Sequence, residues 1–228
     1  MKDCITCMRT VKSFLMLLRK KSETLYMHSI YTGNTAGMIA AALEFEPDQM
    51  RDVQTAGFLH DIGKLCLPDG LLLKDSNLTS EEFGLIKTHS KVGSDILRGV
   101  FKNIPIYILY HHEAYDGSGY PEGLKSSNIP IPAKVLGIAD RYTALISQRS
   151  YRAAYSRRDA LREVEKDIKG FFNGNNKTIE KVLLSLSEPT EQLPPDDLPL
   201  KRGASKELPV CLQDASEFIR RGRMLPLK

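Results

Sequence analysis

Hydrophobic residues recur every three or four positions between residues 10 and 186, a period typical of amphipathic helices. Residues 10–21 show this period clearly, with an apolar face opposite a basic one: Val11, Phe14, Leu15 and Leu18 against Lys12, Arg19 and Lys20. We expect this N-terminal helix to pack on the rest of the chain or to form a homodimer contact, because a docked helix is commoner than one lying on a membrane.

The same period predicts further helical segments over residues 23–45, 52–59, 104–109 and 178–186. Patterns typical of helix starts, including a capping box at Thr79 and Glu82, predict three more helices, which begin near residues 80, 131 and 157. We expect Gly63 to stop the helix at 52–59, and the helix from residue 80 to carry an inner stripe of Leu85, Ile86, Val92, Gly93 and Ile96. Because no stretch alternates as a strand does, the predicted fold is all-α.

The proline content of the chain rises after residue 186. Beyond residue 186, six prolines are mixed with charged residues, which predicts an extended C-terminal tail over 187–228. The predicted organisation is therefore an N-terminal amphipathic helix at 1–21, one domain at 22–186 and the Pro-rich tail. A chain of 228 residues with 42% hydrophobic residues is long enough for one such domain with its own core.

Composition narrows the class of protein. Lys and Arg exceed Asp and Glu by only 32 to 28, which does not predict a nucleic-acid-binding surface. The apolar run at 14–18 is too short to span a membrane, and four scattered cysteines do not form a disulfide framework. We therefore expect a soluble cytoplasmic protein with no membrane or nucleic-acid partner.

The candidate chemistry lies in the histidines. All five fall on or at the ends of apolar helical segments: His28, His60, His89, His111 and His112. Asp61 and Asp140 sit likewise, and a carboxylate in apolar surroundings needs a cation or hydrogen bonds. Taken singly, His28 has an ordinary interpretation as a hydrogen-bonded core residue, and His60 with Asp61 as a pair that closes a helix. If the five histidines were unrelated core residues, we would expect some of them to lie outside apolar helical segments.

Five imidazoles and two carboxylates suit two divalent metal ions, of the iron or manganese kind, with Asp61 between them. Two ions about 3.5–4 Å apart assist displacement at phosphorus by lowering the pKa of a shared water, which makes hydroxide available at neutral pH. The pattern therefore predicts phosphodiester hydrolysis. A glycine-rich loop, DGSGYP at 116–121, follows the last histidine; such loops are often plain turns, but this position favours a binding role. Arg149 and Arg152 are well placed to present guanidinium groups to phosphate.

The order of these motifs resembles the HD-GYP family of bacterial cyclic di-GMP phosphodiesterases. The resemblance runs from about His28 to about Arg152 and rests on His28, HDIGK at 60–64, Pro68-Asp69, LTSEE at 78–82, His89, HHE at 111–113, DGSGYP at 116–121 and Ala139-Asp140. It implies an HD-domain helical bundle and a metal-dependent hydrolase of second-messenger signalling. Such an enzyme converts cyclic di-GMP to pGpG, with further hydrolysis to GMP left open.

The resemblance also implies roles for single residues. One metal would be bound by His28, His60, Asp61 and Asp140, and the other by His89, His111 and His112, with Asp61 shared. Lys64 would face the scissile phosphate, and the cyclic dinucleotide would contact Tyr120, Arg149 and Arg152. Some family members hold a third metal through a glutamate where this chain has Thr24, so we expect two ions. Thr143 replaces an aspartate that the family usually has near the substrate.

Two other functions stay open from the sequence. The metal-binding residues alone do not determine which nucleobase is recognised, so the substrate could be another cyclic dinucleotide or nucleotide. Alternatively, the Gly119-Tyr120-Pro121 loop could dock a diguanylate cyclase, with catalysis weak or secondary.

Overall fold

The computed structural model of this chain describes residues 2–72, 74, 76–147 and 154–187, with side chains from residue 9 onward. This part of the chain contains no β-strand, so the all-α prediction is confirmed. Its α-helices are α1 (Lys2–Lys21), α2 (Glu23–Ala42), α3 (Pro47–Leu59), α4 (Asp69–Leu72), α5 (Ser80–Lys87), α6 (His89–Leu97), α7 (Ile104–Tyr110), α8 (Ile131–Ile146), α9 (Arg157–Phe171) and α10 (Asn176–Ser187). Two 3₁₀ turns cover Ile62–Cys66 and Ser126–Asn128.

Helices α2 and α3 cross with their backbones in contact, and two glycines make this crossing possible. A Cβ atom on Gly57 would lie 2.5 Å from the Cα of Gly33, and a Cβ on Gly33 would lie 2.2 Å from the Phe58 ring. Gly33 therefore permits the close approach of α3 to α2. The close crossing brings His28 of α2 beside His60, which directly follows α3: their ring centroids are 5.1 Å apart.

Helix α1 belongs to the same core as the rest of the bundle. Its residues Val11, Leu15 and Leu18 are buried among core side chains. At its C-terminal end, Lys21 Nζ donates to Leu67 O at 2.9 Å and forms an ion pair with Asp69. Packing on the bundle is one of the two outcomes expected of this helix, while a homodimer contact and the division of the chain at residue 21 stay predictions.

The helix predicted from residue 80 is two helices in the structure. The capping box at Thr79 and Glu82 is confirmed, but α5 ends at Lys87, and the Thr88 hydroxyl donates to Leu85 O at 2.7 Å. Leu85 is 45% exposed, so the prediction that it lies on the inner stripe is wrong. The break changes the direction of the chain, and α6 begins at the buried His89.

Gly63 does not end α3, contrary to expectation. That helix ends at Leu59, and Gly63 lies inside the following 3₁₀ turn. A Cβ atom on Gly63 would lie 2.0 Å from His89 O and 2.7 Å from Gly93 N, so this glycine allows α6 to touch the turn. The sequence pattern identified the residue, but its contact is with a helix distant in the chain.

Helices α9 and α10 complete the bundle. The predicted cap of α9 is confirmed, because the Ser156 hydroxyl accepts from Asp159 N, and Tyr142 of α8 donates to Leu186 O at 3.1 Å. The predicted tail at 187–228 lies outside the described residues apart from Ser187, which ends α10. Among the helices described, none combines the length and apolar character that crossing a membrane requires.

Candidate metal centre

Seven predicted ligands from five separate parts of the bundle meet in one place. Two groups form, and within each group the potential ligand atoms lie within 4.8 Å of one another: His28, His60 and Asp140 in the first, His89, His111 and His112 in the second. The distance between the ring centroids of His60 and His111 is 5.4 Å, so the two groups adjoin. The side chains that the sequence placed on distant helices are therefore brought together, although their binding of metal stays a prediction.

Asp61 connects the two groups. One of its oxygens, Oδ2, lies 3.5 Å from His60 Nε2, and the other, Oδ1, lies 3.5 Å from His89 Nε2. The side chain is only 1% exposed. This is the position that a carboxylate shared between two cations would occupy.

Helix ends orient three of the imidazoles. His60, His89 and His111 each donate from Nδ1 to the backbone carbonyl three residues earlier, at 2.6–2.8 Å: Gly57 O, Ile86 O and Ile108 O. Carbonyl groups in the last turn of a helix lack intrahelical partners, so they are free to accept these bonds. In the neutral form of each ring, Nδ1 carries the proton and Nε2 carries the lone pair, which is the arrangement that second-sphere carbonyls give to metal-binding histidines.

Two of these lone pairs have no hydrogen-bond partner. The Nε2 atoms of His60 and His111 are buried without a hydrogen bond, and the nearest carboxylate oxygens to His60 Nε2 are 3.5 Å away. A buried polar atom without a partner carries a free-energy cost of about 1–3 kcal/mol. A cation between the imidazoles would remove that cost, so the residues present fit divalent metal ions.

Burial keeps the second group of histidines uncharged. It lowers the pKa of His89 to about 4 and the pKa of His112 to about 3, and it holds the pKa of His111 well below the ordinary histidine range. These imidazoles are therefore neutral at pH 7, which is the form that binds metal.

The carboxylates, in contrast, stay ionised. Burial acts to raise the pKa of Asp61, but the positive charges of His60 and Lys64 outweigh it, so the pKa of Asp61 lies well below its ordinary value. The pKa of Asp140 is also lowered, because the hydrogen bond from His28 and the attraction of the nearby His60 outweigh burial. Lys64 Nζ donates to Asp61 Oδ2 at 2.8 Å from a position at the partly exposed rim.

Tyr120 covers one side of the centre. Its ring lies 4.7 Å from the His112 ring at a tilt of 31°, and its backbone N donates to His112 O at 3.1 Å. Burial raises the pKa of the Tyr120 phenol, and the negative charges of Asp140 and Asp61 add to this effect. The hydroxyl is therefore a neutral hydrogen-bond donor at physiological pH.

Glu113 holds the loop that carries Tyr120, a role that the sequence reasoning missed. Its buried carboxylate accepts from Glu122 N at 2.7 Å and from Leu124 N at 2.8 Å. Gly119 fits under the loop because a Cβ there would lie 2.2 Å from Ala114 N. The run of two histidines followed by a glutamate was visible in the sequence, but nothing in it indicated which backbone groups the carboxylate would reach.

Four further positions that the sequence analysis named are Thr143, Thr24, Arg149 and Arg152, and the structure describes the first two. Thr143 is buried, its hydroxyl donates to Ala139 O at 2.9 Å, and it lies 2.8 Å from the Thr32 hydroxyl, so it packs behind the centre and is not presented to a ligand. Thr24 is exposed, and the neighbouring Glu23 pairs with Arg19 at 2.9 Å. Arg149 and Arg152 lie outside the described residues.

A model of the HD domain family matches residues 12–172, which include all seven candidate ligands. The chain belongs to the HD domain family. The resemblance seen in the motifs is thereby confirmed, and the helical bundle described above is the HD fold.

Curated relatives match this HD domain over part of their length. The cyclic di-GMP phosphodiesterase response regulator RpfG of Xanthomonas campestris pv. campestris is 38% identical over 132 residues, which cover 56% of this chain and 35% of RpfG. A cyclic di-GMP phosphodiesterase of Thermotoga maritima is 38% identical over 156 residues, which cover 66% of this chain and 42% of that protein. The chain therefore spans less than half of either relative.

A solved structure supports the fold independently of close sequence similarity. The crystal structure of the HD domain of the L. monocytogenes phosphodiesterase PgpH has a TM-score of 0.59 and 20% identity, over 76% of this chain and 94% of that one. At this identity the likeness concerns the arrangement of the HD helices alone.

Proposed function

We propose that this HD domain is a metal-dependent phosphodiesterase that hydrolyses cyclic di-GMP to pGpG in bacterial second-messenger signalling. The observation that carries the proposal is the meeting of two ligand groups around the buried carboxylate of Asp61. The names of the relatives from Xanthomonas campestris and Thermotoga maritima support cyclic di-GMP as the substrate. The chromatography described below also tests whether hydrolysis continues from pGpG to GMP.

The ligand assignment follows the two groups. His28, His60 and Asp140 would hold one ion, His89, His111 and His112 the other, and Asp61 would contact both. When bound, the two ions supply a Lewis acid for the phosphoryl oxygens and a water of lowered pKa. Iron or manganese suits this mixture of imidazole and carboxylate ligands better than calcium or magnesium, which prefer oxygen.

The remaining residues would bind and orient the substrate. Lys64 is proposed to face the scissile phosphate, because its ammonium stands at the rim of the centre and needs only to exchange Asp61 for a phosphate oxygen. Tyr120, with its neutral hydroxyl beside the centre, would donate to the bound nucleotide and exclude water from one side. Arg149 and Arg152 are proposed to contact the cyclic dinucleotide on the strength of the resemblance.

Docking of a diguanylate cyclase through the Gly119-Tyr120-Pro121 loop finds less support. The Tyr120 ring is turned inward against His112, which leaves Pro121 as the exposed side chain of this loop. Such a loop is shaped to close a pocket more than to anchor a protein partner.

The test uses the full chain loaded anaerobically with manganese or iron. It is incubated with cyclic di-GMP and with mixed and adenine cyclic dinucleotides, and the products are separated by chromatography. We expect cyclic di-GMP to be converted to pGpG, and we expect Asp61→Ala to reduce turnover by at least about a hundredfold, since perturbing even the outer shell of a metal site costs 10- to 100-fold.

Asp95→Ala is the matched control, because Asp95 is an exposed aspartate that pairs only with its neighbour Arg98 in the described structure. Turnover by this variant should equal that of the wild type. A wild-type protein that contains two metals per chain by elemental analysis and hydrolyses no cyclic dinucleotide would overturn the proposal.

A further inference from the structure

Lys87 stands next to the candidate site without belonging to either ligand group. It is the last residue of α5, and its Nζ lies 5.2 Å from the centroid of the Tyr120 ring and 4.7 Å from the centroid of the Phe83 ring. Contacts of an ammonium with two aromatic faces are attractive, and they limit the conformations of a long side chain. The cation is therefore held in a defined place at the edge of the site.

The charge of Lys87 is not neutralised by an acid. Among the residues that the structure describes, Lys87 forms no ion pair with a carboxylate, whereas Lys64, the other lysine at the centre, pairs with Asp61. Aromatic rings attract a cation but do not cancel its charge. Lys87 thus offers three N–H donors to an anion from a fixed position.

Tyr120 lies beside both Lys87 and the second ligand group. Its ring contacts Lys87 and also lies 4.7 Å from the ring of His112. Lys87 is therefore near the candidate metal centre without being one of its ligands. A ligand with two phosphates can place one at the ligand groups and the other at Lys87.

We propose that Lys87 binds the second phosphate of the substrate, the one that is not cleaved in that turnover. A cyclic dinucleotide carries two phosphates on one ring, so a site that places one at the metal ligands must leave the other outside them. Lys87 would then select ligands with two phosphates over mononucleotides. This inference rests on the proposed function, since it assigns the outer half of the same substrate.

Calorimetry with a ligand that resists hydrolysis tests the inference directly. The manganese-loaded full chain is titrated with a phosphorothioate analogue of cyclic di-GMP, which keeps two negative charges, and with guanosine monophosphorothioate, which has one phosphate. We expect Lys87→Gln to weaken binding of the cyclic analogue about tenfold, as for one hydrogen bond to a charged group, and to weaken binding of the mononucleotide much less. Lys87→Arg should restore most of the affinity.

Lys102→Gln is the matched control, because Lys102 is an exposed lysine in the loop before α7, at the opposite end of that helix from His111. It should leave both affinities unchanged. An equal loss for the two ligands in Lys87→Gln, or no recovery in Lys87→Arg, would mean that Lys87 only supports Tyr120, and would overturn the inference. So would a wild-type chain that fails to bind the cyclic analogue.

The two proposals fail in different ways. If the wild type binds the cyclic analogue, Lys87→Gln weakens that binding selectively, and cyclic di-GMP is never hydrolysed, the proposed activity is wrong while the role of Lys87 in affinity stands. If the wild type hydrolyses cyclic di-GMP and Lys87→Gln has the same KM, the activity stands and the role of Lys87 is wrong.

Discussion

At the scale of residues, the centre depends on how each helix ends. His60 and His111 directly follow the last residues of α3 and α7, and His89 follows the break after α5. In each case a carbonyl of the finished turn accepts the Nδ1–H and leaves Nε2 to face inward. A histidine in the middle of a helix would find those carbonyls already bonded within the helix.

Glu113→Gln tests how the loop that carries Tyr120 is held. Glutamine keeps the size of the side chain but replaces one carboxylate oxygen with an NH2 donor, so the N–H of either Glu122 or Leu124 would face a donor and lose its acceptor. We expect the free energy of unfolding to fall by about 1–3 kcal/mol, the cost of a buried donor left unsatisfied, and kcat/KM to fall with it. Chemical denaturation and steady-state kinetics measure the two effects.

Glu122→Gln is the control for this change, because Glu122 is exposed and its carboxylate only accepts from the Tyr110 hydroxyl. Its effect on stability should stay within about 0.5 kcal/mol. A Glu113→Gln protein as stable as this control would show that the loop does not need the carboxylate.

Most of this residue-scale picture was accessible from the sequence, and the exceptions are informative. The seven candidate ligands stood out because polar residues in apolar helical segments are rare enough to be noticed. The roles of Glu113 and Lys87 were not accessible, because both depend on contacts with Tyr120 or its loop. Spacing along a chain does not reveal which backbone amides a side chain will reach after folding.

At the scale of elements, two close crossings position the ligand groups. The crossing of α2 and α3 at Gly33 and Gly57 aligns His28 with His60, and the contact of Gly63 with α6 aligns Asp61 with His89. Asp61 therefore reaches the second group only because the 3₁₀ turn after it lies against the backbone of α6.

Gly63→Ala should separate the two groups of ligands. The new Cβ would lie 2.0 Å from His89 O, so the turn or α6 must move. Overpacking of this kind typically costs about 1–3 kcal/mol of stability. We expect, in addition, less than two metals per chain by elemental analysis and a matching loss of phosphodiesterase activity.

Gly70→Ala is the matched control, because a Cβ on Gly70 would meet no atom within 4 Å. Its stability and metal content should match those of the wild type. Full metal content in Gly63→Ala would contradict the view that this contact sets the distance between the groups.

The sequence predicted the helices better than their ends. Apolar periodicity indicated α1, and start patterns indicated α8 and α9, whose apolar residues lie in the core. The break at Thr88 was missed because the apolar period continues through it, and what interrupts the helix is the packing of α6 against the 3₁₀ turn. At Thr88 the local sequence pattern predicts a continuous helix, but the tertiary contact of α6 determines where the helix breaks.

At the scale of the whole molecule, the bundle encloses negative charge. Asp61 and Asp140 are ionised inside the bundle, and the second group of histidines beside them is neutral. Among the described residues, Lys64 is the one lysine or arginine in direct contact with these carboxylates. Because only the folded chain assembles these ligands, bound metal ions should stabilise the fold by mass action.

Removal of metal should therefore lower Tm. A metal held at about 100 times its Kd contributes roughly 2.7 kcal/mol to the free energy of unfolding. For a chain of this size that corresponds to a Tm shift of roughly 5–10 °C. Thermal unfolding in the presence and absence of a chelator measures the shift.

The double variant Asp61→Ala, Asp140→Ala provides the comparison, since it lacks both carboxylates of the centre. Its Tm should not respond to the chelator. An unchanged Tm in the wild type would mean that the folded chain holds no metal strongly enough to matter for stability.

Lys21 connects the first helix to the part of the bundle that contains the candidate metal centre. Its ammonium holds Leu67 O and Asp69, only a few residues beyond Lys64, while its backbone is the last turn of α1. Asp61 and Leu67 flank the same 3₁₀ turn, at its start and its end. A rotation of α1 would therefore either pull on this turn or break the contacts of Lys21.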